Sequence, residues 1–495
     1  MTNPATRDIA PKSLPTIFEC SVPGRKGHSL PPLPADADAL VTEAIPKRFL
    51  RREPAALPEV GELDVVRHYT RLSSRTMCVD TNFYPLGSCT MKYNPKVNET
   101  VAGLEGFAGA HPEESEESLQ GILKIYHDVS QALSRLTGLA GCSLQPAAGA
   151  HGEFTALLVA KAWFDDRGET GRCEVIIPDT AHGTNPASAL RCGLRAVEIK
   201  SDARGRIDLG QLKSKLGPST ACVMITNPNT LGLFEDQMHE AAALIHEAGA
   251  LVYLDGANFN AIVGRVRPAD FGADLMHINV HKTFSIPHGG GGPGAGPICV
   301  RDFLAPYLPS PWVVFKDGRY MLERDCPKSI GKVRSFFGNV NNIVRTAAYL
   351  RQLGAGGLRE VSGHAVLNAN YLLSLLAGTY DVPYGIRCMH EFVINATRQK
   401  NLGVKAMDIA KKLLDYGFHP PTTYFPLIVP EALMIEPTET ESKETLEAFA
   451  AAMLEIARLA ETDAARVTAA PETTPVTRMD ELAAARQPVL AWPKA

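Results

Sequence analysis

Short apolar runs rich in β-branched residues recur through the middle of the chain: CEVIIP (173–178), RAVEIK (195–200), ACVMIT (221–226), ALVYLD (250–255), DLMHINV (274–280) and PICVR (297–301). Segments between them, such as Phe154 to Phe164 and Glu235 to Ala248, have helical apolar spacing. Continuous apolar strands alternating with helices predict an α/β fold, with a mostly parallel sheet covered on both faces. Residues 341 to about 380 read as helix. Beyond them HEFVIN (390–395), a helix over 406–414, YFPLIV (424–429) and a helix over 443–459 predict a smaller α+β domain. Residues 1 to about 65 are Pro-rich and weakly periodic, an arm over a body or partner, or a loose tail. The expected division is an arm (1–70), a large domain (71–340), a small domain (341–465) and a tail with room for one short helix (466–495).

Composition narrows the function classes. Hydrophobic residues make up 45% and charged residues 21% of 495, the balance of a globular protein. The formal charge of −4 argues against broad binding to nucleic acid or anionic membrane. No run approaches the roughly 18 apolar residues of a spanning helix. The N-terminal residues lack the basic start and apolar run of a secretory signal. Ten scattered cysteines without a CxxC pair read as reduced thiols in a cytoplasm.

Ligands of such sheets gather at the carboxyl ends of the strands. CEVIIP runs into DTAHGTNPAS, which carries His182; ACVMIT is followed by Asn227-Pro228-Asn229-Thr230. ALVYLD ends in Asp255, and DLMHINV is followed by His281-Lys282-Thr283. Each residue alone has an ordinary explanation as a cap, a turn former or a solvated charge. Together, an acid at one strand end and a lysine at the next point to pyridoxal phosphate. That cofactor is held by a lysine Schiff base, and its ring nitrogen needs a carboxylate partner. Upstream, PAAGAHGE (146–153) opens a helix with small residues, leaving N–H groups free for a phosphate.

The run HGGGGPGAG (288–296) contains Gly289-x-Gly291-x-x-Gly294, the dinucleotide pattern, but precedes a strand instead of opening a helix. It reads better as a tight turn beside the lysine. No GK[ST] accompanies it. His277, His281 and His288 lack both a helical i, i+4 face and a carboxylate, so no metal site is expected from them.

The chain closely resembles the P-protein family of the glycine cleavage system, the decarboxylating glycine dehydrogenases, in its split form. The resemblance rests on DTNFYPLGSCTMKYNPKVNE (80–99), PAAGAHGE, DTAHGTNPAS, LDGAN (254–258) and NVHKTFSIPHGGGGPGAGP (279–297), and covers most of the chain. It implies a fold-type I pyridoxal-phosphate enzyme, with a seven-stranded, mostly parallel sheet. It implies that Lys282 carries the cofactor, Asp255 pairs with the ring nitrogen, Ala257 packs under the ring and His182 stacks on it. Asn227 then lies near the phenolic oxygen, and Ala148, Gly149, Ala150 and Thr283 near the phosphate. Ser88-Cys89-Thr90-Met91 falls near the site mouth, in a structural or substrate-lining role. The length suits the lysine-bearing half of the family, which implies a separate subunit 1 in an α2β2 assembly. The implied reaction decarboxylates glycine and passes the aminomethyl group to the lipoyl group of the H-protein. Arg387 and Arg398 are candidates for the substrate carboxylate. Two other readings stay open: a decarboxylase without a lipoyl partner, and a silent scaffold subunit, against which both Lys282 and Asp255 count.

Overall fold

The structure, a computed structural model, describes residues 14–53, 55–288, 294–385 and 387–490. The glycines at 289–292, read above as a tight turn, lie outside the described residues. The chain divides into two units, Met1–Cys78 with Pro471–Ala495, and Val79–Ala470.

The larger unit is built on seven strands: β1 (Gly141–Ser143), β2 (Glu174–Pro178), β3 (Arg195–Ile199), β4 (Thr220–Thr226), β5 (Leu251–Gly256), β6 (Leu275–Ile278) and β7 (Ile298–Val300). Their order is β1-β7-β6-β5-β4-β2-β3. Strands β3, β2, β4, β5 and β6 run parallel, while β7 is antiparallel to β6 and β1. The apolar runs are continuous because the sheet is buried on both faces. Along β4, Cys222 and Met224 enter one core with Val175, Tyr253 and Leu275. Val223 and Ile225 enter the opposite core with Ile176, Leu254 and Met276. From β2 the chain crosses first to the edge strand β3 and then back to β4. The sheet therefore reverses its winding between β2 and β4, and a crevice opens there at the carboxyl ends.

Two antiparallel strands follow, β8 (Trp312–Lys316) and β9 (Arg319–Glu323). The helical reading of 341–380 corresponds to Val340–Leu376, interrupted at Gly354 (φ 60°, ψ −171°). Before the break Ile343 and Tyr349 pack into the large sheet's core. Well beyond it, Leu372, Leu373 and Leu376 pack into a separate core with the helices Ala406–Asp415 and Lys443–Thr462. That second core backs a small antiparallel sheet of β10 (Phe392–Asn395), β11 (Thr422–Thr423) and β12 (Ala432–Ile435), in the order β10-β12-β11. The strand expected at YFPLIV does not form. Pro426 has no N–H to give a ladder, and Tyr424 takes φ 57°; the strand is ALMI, eight residues on.

The unit formed by Met1–Cys78 and Pro471–Ala495 carries the short helices Ala37–Ala44, Glu62–Ser73 and Glu481–Arg486. Leu30, Leu33, Phe49 and Leu57 are exposed on it. Among the described residues, no helix is long and apolar enough to cross a membrane.

Candidate functional site

The strand ends beside the crevice surround a cavity of about 100 Å³, lined in part by Ser88, Ala150, Glu153, His182, Asp255 and Lys282. Asp255 is the penultimate residue of β5, and its register partner on β6 is His277. Lys282 follows β6 in the one-turn helix Val280–Thr283. Parallel pairing thus carries the acid and the lysine to one end of the sheet.

Asp255 is 1% exposed and saturated with partners. The Ala257 N–H donates to its Oδ1 at 2.9 Å. The Asn185 amide donates to Oδ2 at 3.1 Å, and His277 Nε2 lies 3.5 Å from Oδ1. Burial works to raise this carboxyl's pKa; His277, the Ala257 N–H, Asn185 and Lys282 outweigh it and hold the pKa below its ordinary value. Asp255 is therefore a fixed anion.

Glu153 lies one helical turn into Gly149–Asp166 and has the opposite character. It accepts from Thr184 Oγ1 at 2.8 Å, and from Asn185 and Ser188 at 3.2 Å each. Asn185 bridges the two acids. Burial and the Asp255 charge push the Glu153 pKa up to about 8. Two acids in one cavity thus hold different protonation states at neutral pH.

The native state keeps the Glu153 proton between about 4.5 and about 8, where the unfolded chain has released it. Its contribution to stability is complete below that window and is lost as pH rises through it. Glu153→Gln is expected to flatten this fall in the Tm of the cofactor-free chain. Parallel Tm-versus-pH curves for the two proteins would exclude the raised pKa.

The sequence-derived residues divide into two groups. Lys282, Asp255, His182, Ala257 and Ala150 line the cavity; Asn227, Ala148, Gly149 and Thr283 are not among its lining residues. Lys282, 6% exposed, donates from Nζ to the Ser88 carbonyl at 2.8 Å. His182 lies on the open side, its Nδ1 3.0 Å from Thr184 Oγ1 and its ring edge-on to Phe425 at 5.9 Å. Surrounding protein, and then the Lys282 charge, lower its pKa, so the imidazole is neutral at neutral pH. Asn227 turns Oδ1 to the Glu235 N–H at 3.0 Å. Arg398 pairs with Asp381 at 2.5 Å, and neither it nor Arg387 lines the cavity. Cys89 places Sγ 4.0 Å from His288 Nε2. All ten cysteines are free thiols.

The donor set fits pyridoxal phosphate. A lysine amine and a fixed carboxylate face one space. Ala148 caps the helix Gly149–Asp166, whose first N–H groups have no helical acceptor. A Cβ on Gly149 would lie 1.9 Å from Asn279 Oδ1, so any other residue here would have to displace the Asn279 side chain. Among the described residues, Asn227 Nδ2 and Thr283 Oγ1 are buried without a hydrogen-bond partner.

Known families and relatives match most of the chain. A family model described as glycine dehydrogenase, C-terminal domain, matches residues 361–478; one for class-V aminotransferases matches residues 152–378. The chain is 53% identical over 482 residues to the probable glycine dehydrogenase (decarboxylating) subunit 2 of Desulforamulus reducens, covering 96% of this chain and 98% of the relative. The protein of the same description in Exiguobacterium sibiricum is 55% identical over 476 residues, 96% of each chain. Among solved structures, an inhibitor-bound glycine decarboxylase (P-protein) of the glycine cleavage system aligns with a TM-score of 0.73 at 23% identity, covering 85% of this chain and 95% of that one. A glutamate decarboxylase of Lactobacillus brevis aligns with a TM-score of 0.65 at 13% identity, covering 84% and 95%. At these identities the structural likeness speaks for the fold.

Proposed function

Because this chain belongs to the family of glycine dehydrogenase (decarboxylating) subunit 2, we propose that its cavity binds pyridoxal phosphate and decarboxylates glycine within the glycine cleavage system. Carbon dioxide leaves, and the aminomethyl group passes to the lipoyl group of the H-protein. The convergence of Lys282 and Asp255 on one cavity carries this reading.

Pyridoxal phosphate, when bound, supplies the electron sink for cleavage of the carbon–carboxylate bond. The chain's residues orient and polarise. Lys282 Nζ is the covalent anchor and the base left free when substrate is bound. Asp255 holds a proton at the ring nitrogen, which its anionic state equips it to do. Ala257 and the neutral His182 would hold the ring in the cavity they both line. Asn227, with its unpartnered Nδ2, would donate to the phenolic oxygen. The N–H groups at Ala148, Gly149 and Ala150, with the Thr283 hydroxyl, would hold the phosphate. No arginine lines the described cavity, which suits a carboxylate that must leave uncharged; a tight clamp would favour the ground state.

The relatives' description as subunit 2 supports a separate subunit 1, in an α2β2 assembly. Exposed Leu30, Leu33, Phe49 and Leu57 give the N-terminal segment an apolar surface for that partner. Ten free thiols suit the reducing cytoplasm.

The test is exchange of labelled bicarbonate into the glycine carboxyl, with subunit 1 and lipoylated H-protein present. Exchange that requires pyridoxal phosphate and H-protein is expected. Release of free methylamine without H-protein would replace this reading with a simple amino-acid decarboxylase.

A further inference from the structure

The turn that meets Lys282 is also held by two buried glutamates. The Ser88 N–H donates to Glu391 Oε2 at 2.7 Å. The Thr90 N–H and hydroxyl donate to Glu436 Oε2 and Oε1 at 3.1 and 2.6 Å. Both glutamates are fully buried. The Ser88 carbonyl, which accepts from Lys282 Nζ, thus belongs to a peptide segment anchored beneath by carboxyl groups of the small sheet.

The backbone marks this turn as imposed. Ser88 and Thr90 take φ 63° and 36°, a region that residues with a Cβ enter at a cost. Such conformations persist where the surroundings over-determine them. Here the preceding residues lie along β12: Leu86 bridges Ile435, and the Thr422 hydroxyl donates to the Gly87 carbonyl at 2.7 Å. A Cβ on Gly87 would stand 2.2 Å from Met434 Cγ and 2.9 Å from its backbone carbon.

The two glutamates face His390, whose ring nitrogens have no hydrogen-bond partner among the described residues. His390 Nε2 is 3.6 Å from Glu391 Oε1 and 3.9 Å from Glu436 Oε1. Burial pushes the His390 pKa down to about 3. Burial and the neighbouring Glu436 raise Glu391 well above the carboxylate range, and burial raises Glu436 to about 7. Glu391 is thus a neutral hydrogen-bonding acid at neutral pH, with the shape and charge of glutamine.

We propose that Glu391 and Glu436 are positioning residues, which fix the Ser88–Thr90 turn so that the Ser88 carbonyl receives the Lys282 amine whenever that amine is free of the cofactor. The displaced lysine is then kept aimed at the atom it must recapture. This inference rests on the assignment of Lys282 above.

The experiment uses the full chain with subunit 1, pyridoxal phosphate and lipoylated H-protein. Glu391→Gln keeps an acceptor for the Ser88 N–H and places its amide at the Oε1 position beside His390 Nε2, giving up only the long 3.4 Å bond from Asn258. Glu391→Asp keeps the acid but withdraws the acceptor by one methylene. Since misplacing a catalytic group by about 1 Å can cost roughly 100-fold, Glu391→Asp should lower kcat about 10- to 100-fold with the glycine KM within about 3-fold, and Glu391→Gln should stay within about 3-fold on both. Thr90→Val should follow the slow variant and Thr90→Ser the fast one; this pair decides if Glu391→Asp does not fold. Wild-type kcat in both Glu391→Asp and Thr90→Val would overturn the proposal. So would Glu391→Gln as slow as Glu391→Asp, the result expected if His390, Glu391 and Glu436 ligate a cation. Borohydride reduction and peptide mapping separate the two readings. An adduct on Lys282 in every variant leaves the Lys282 assignment standing whatever the rates show, and an adduct elsewhere in the wild type removes both.

Discussion

Lys282→Ala is expected to abolish the visible absorption band of the chain reconstituted with pyridoxal phosphate and to lower glycine–bicarbonate exchange by about 10³-fold or more, the scale of removing a group that acts on the reacting atoms. In the wild-type protein, borohydride should bleach the band, and peptide mapping should find the reduced adduct on Lys282. Lys282 is held for this task. It is almost fully buried, and its Nζ donates to the Ser88 carbonyl at the edge of the cavity. Lys92, the other buried lysine near this site, is paired with Glu439 at 2.6 Å and does not line the cavity. A band that survives in Lys282→Ala would assign the anchor to another lysine.

Asp255→Ala is expected to give the opposite pattern: colour retained, exchange lowered roughly 10²- to 10³-fold, as when one fixed electrostatic partner of a reaction is removed. The cofactor keeps its covalent anchor and its phosphate contacts in this variant. What disappears is the anion set at the ring nitrogen. Glu153 does not replace it, because its carboxyl is held in place by Thr184, Asn185 and Ser188. Exchange at the wild-type rate would remove Asp255 from the reaction; a colourless protein would make it a structural member of the binding site.

The sheet was legible because burial on both faces leaves a signal that needs no partner to read. Each of the six apolar runs became a strand, with ends moved by one or two residues. Other elements were hidden for identifiable reasons. The break at Gly354 lies in a stretch whose apolar spacing continues across it. The β8–β9 hairpin did carry a local sign, Asp317-Gly318, both at positive φ, but its strands alternate weakly and stay half exposed. YFPLIV looks like a strand to any reading of hydrophobicity that discounts its proline.

The site divides the same way. Lys282, Asp255 and His182 each follow or end an apolar strand, so the rule of strand ends finds them. His277 was considered only for metal binding, although it is the register partner of Asp255. Finding it required knowing that β5 and β6 are neighbours. Glu153 was visible as a letter of PAAGAHGE, but its protonation depends on Asp255, 102 positions away in the numbering of the chain. Glu391 and Glu436 carried no signal, because only the tertiary fold brings them beneath Ser88 and Thr90.

The hydrogen bonds that hold the Ser88–Thr90 turn join residues 303 and 346 positions apart, and the bond from Lys282 spans 194. Loops of that length close late in folding, after local helices and neighbouring strands have formed. The large sheet can therefore assemble and present Asp255 before the lysine has its acceptor. During refolding, helical signal should return ahead of a competent site, and catalytic recovery becomes a clock for the last long-range closure.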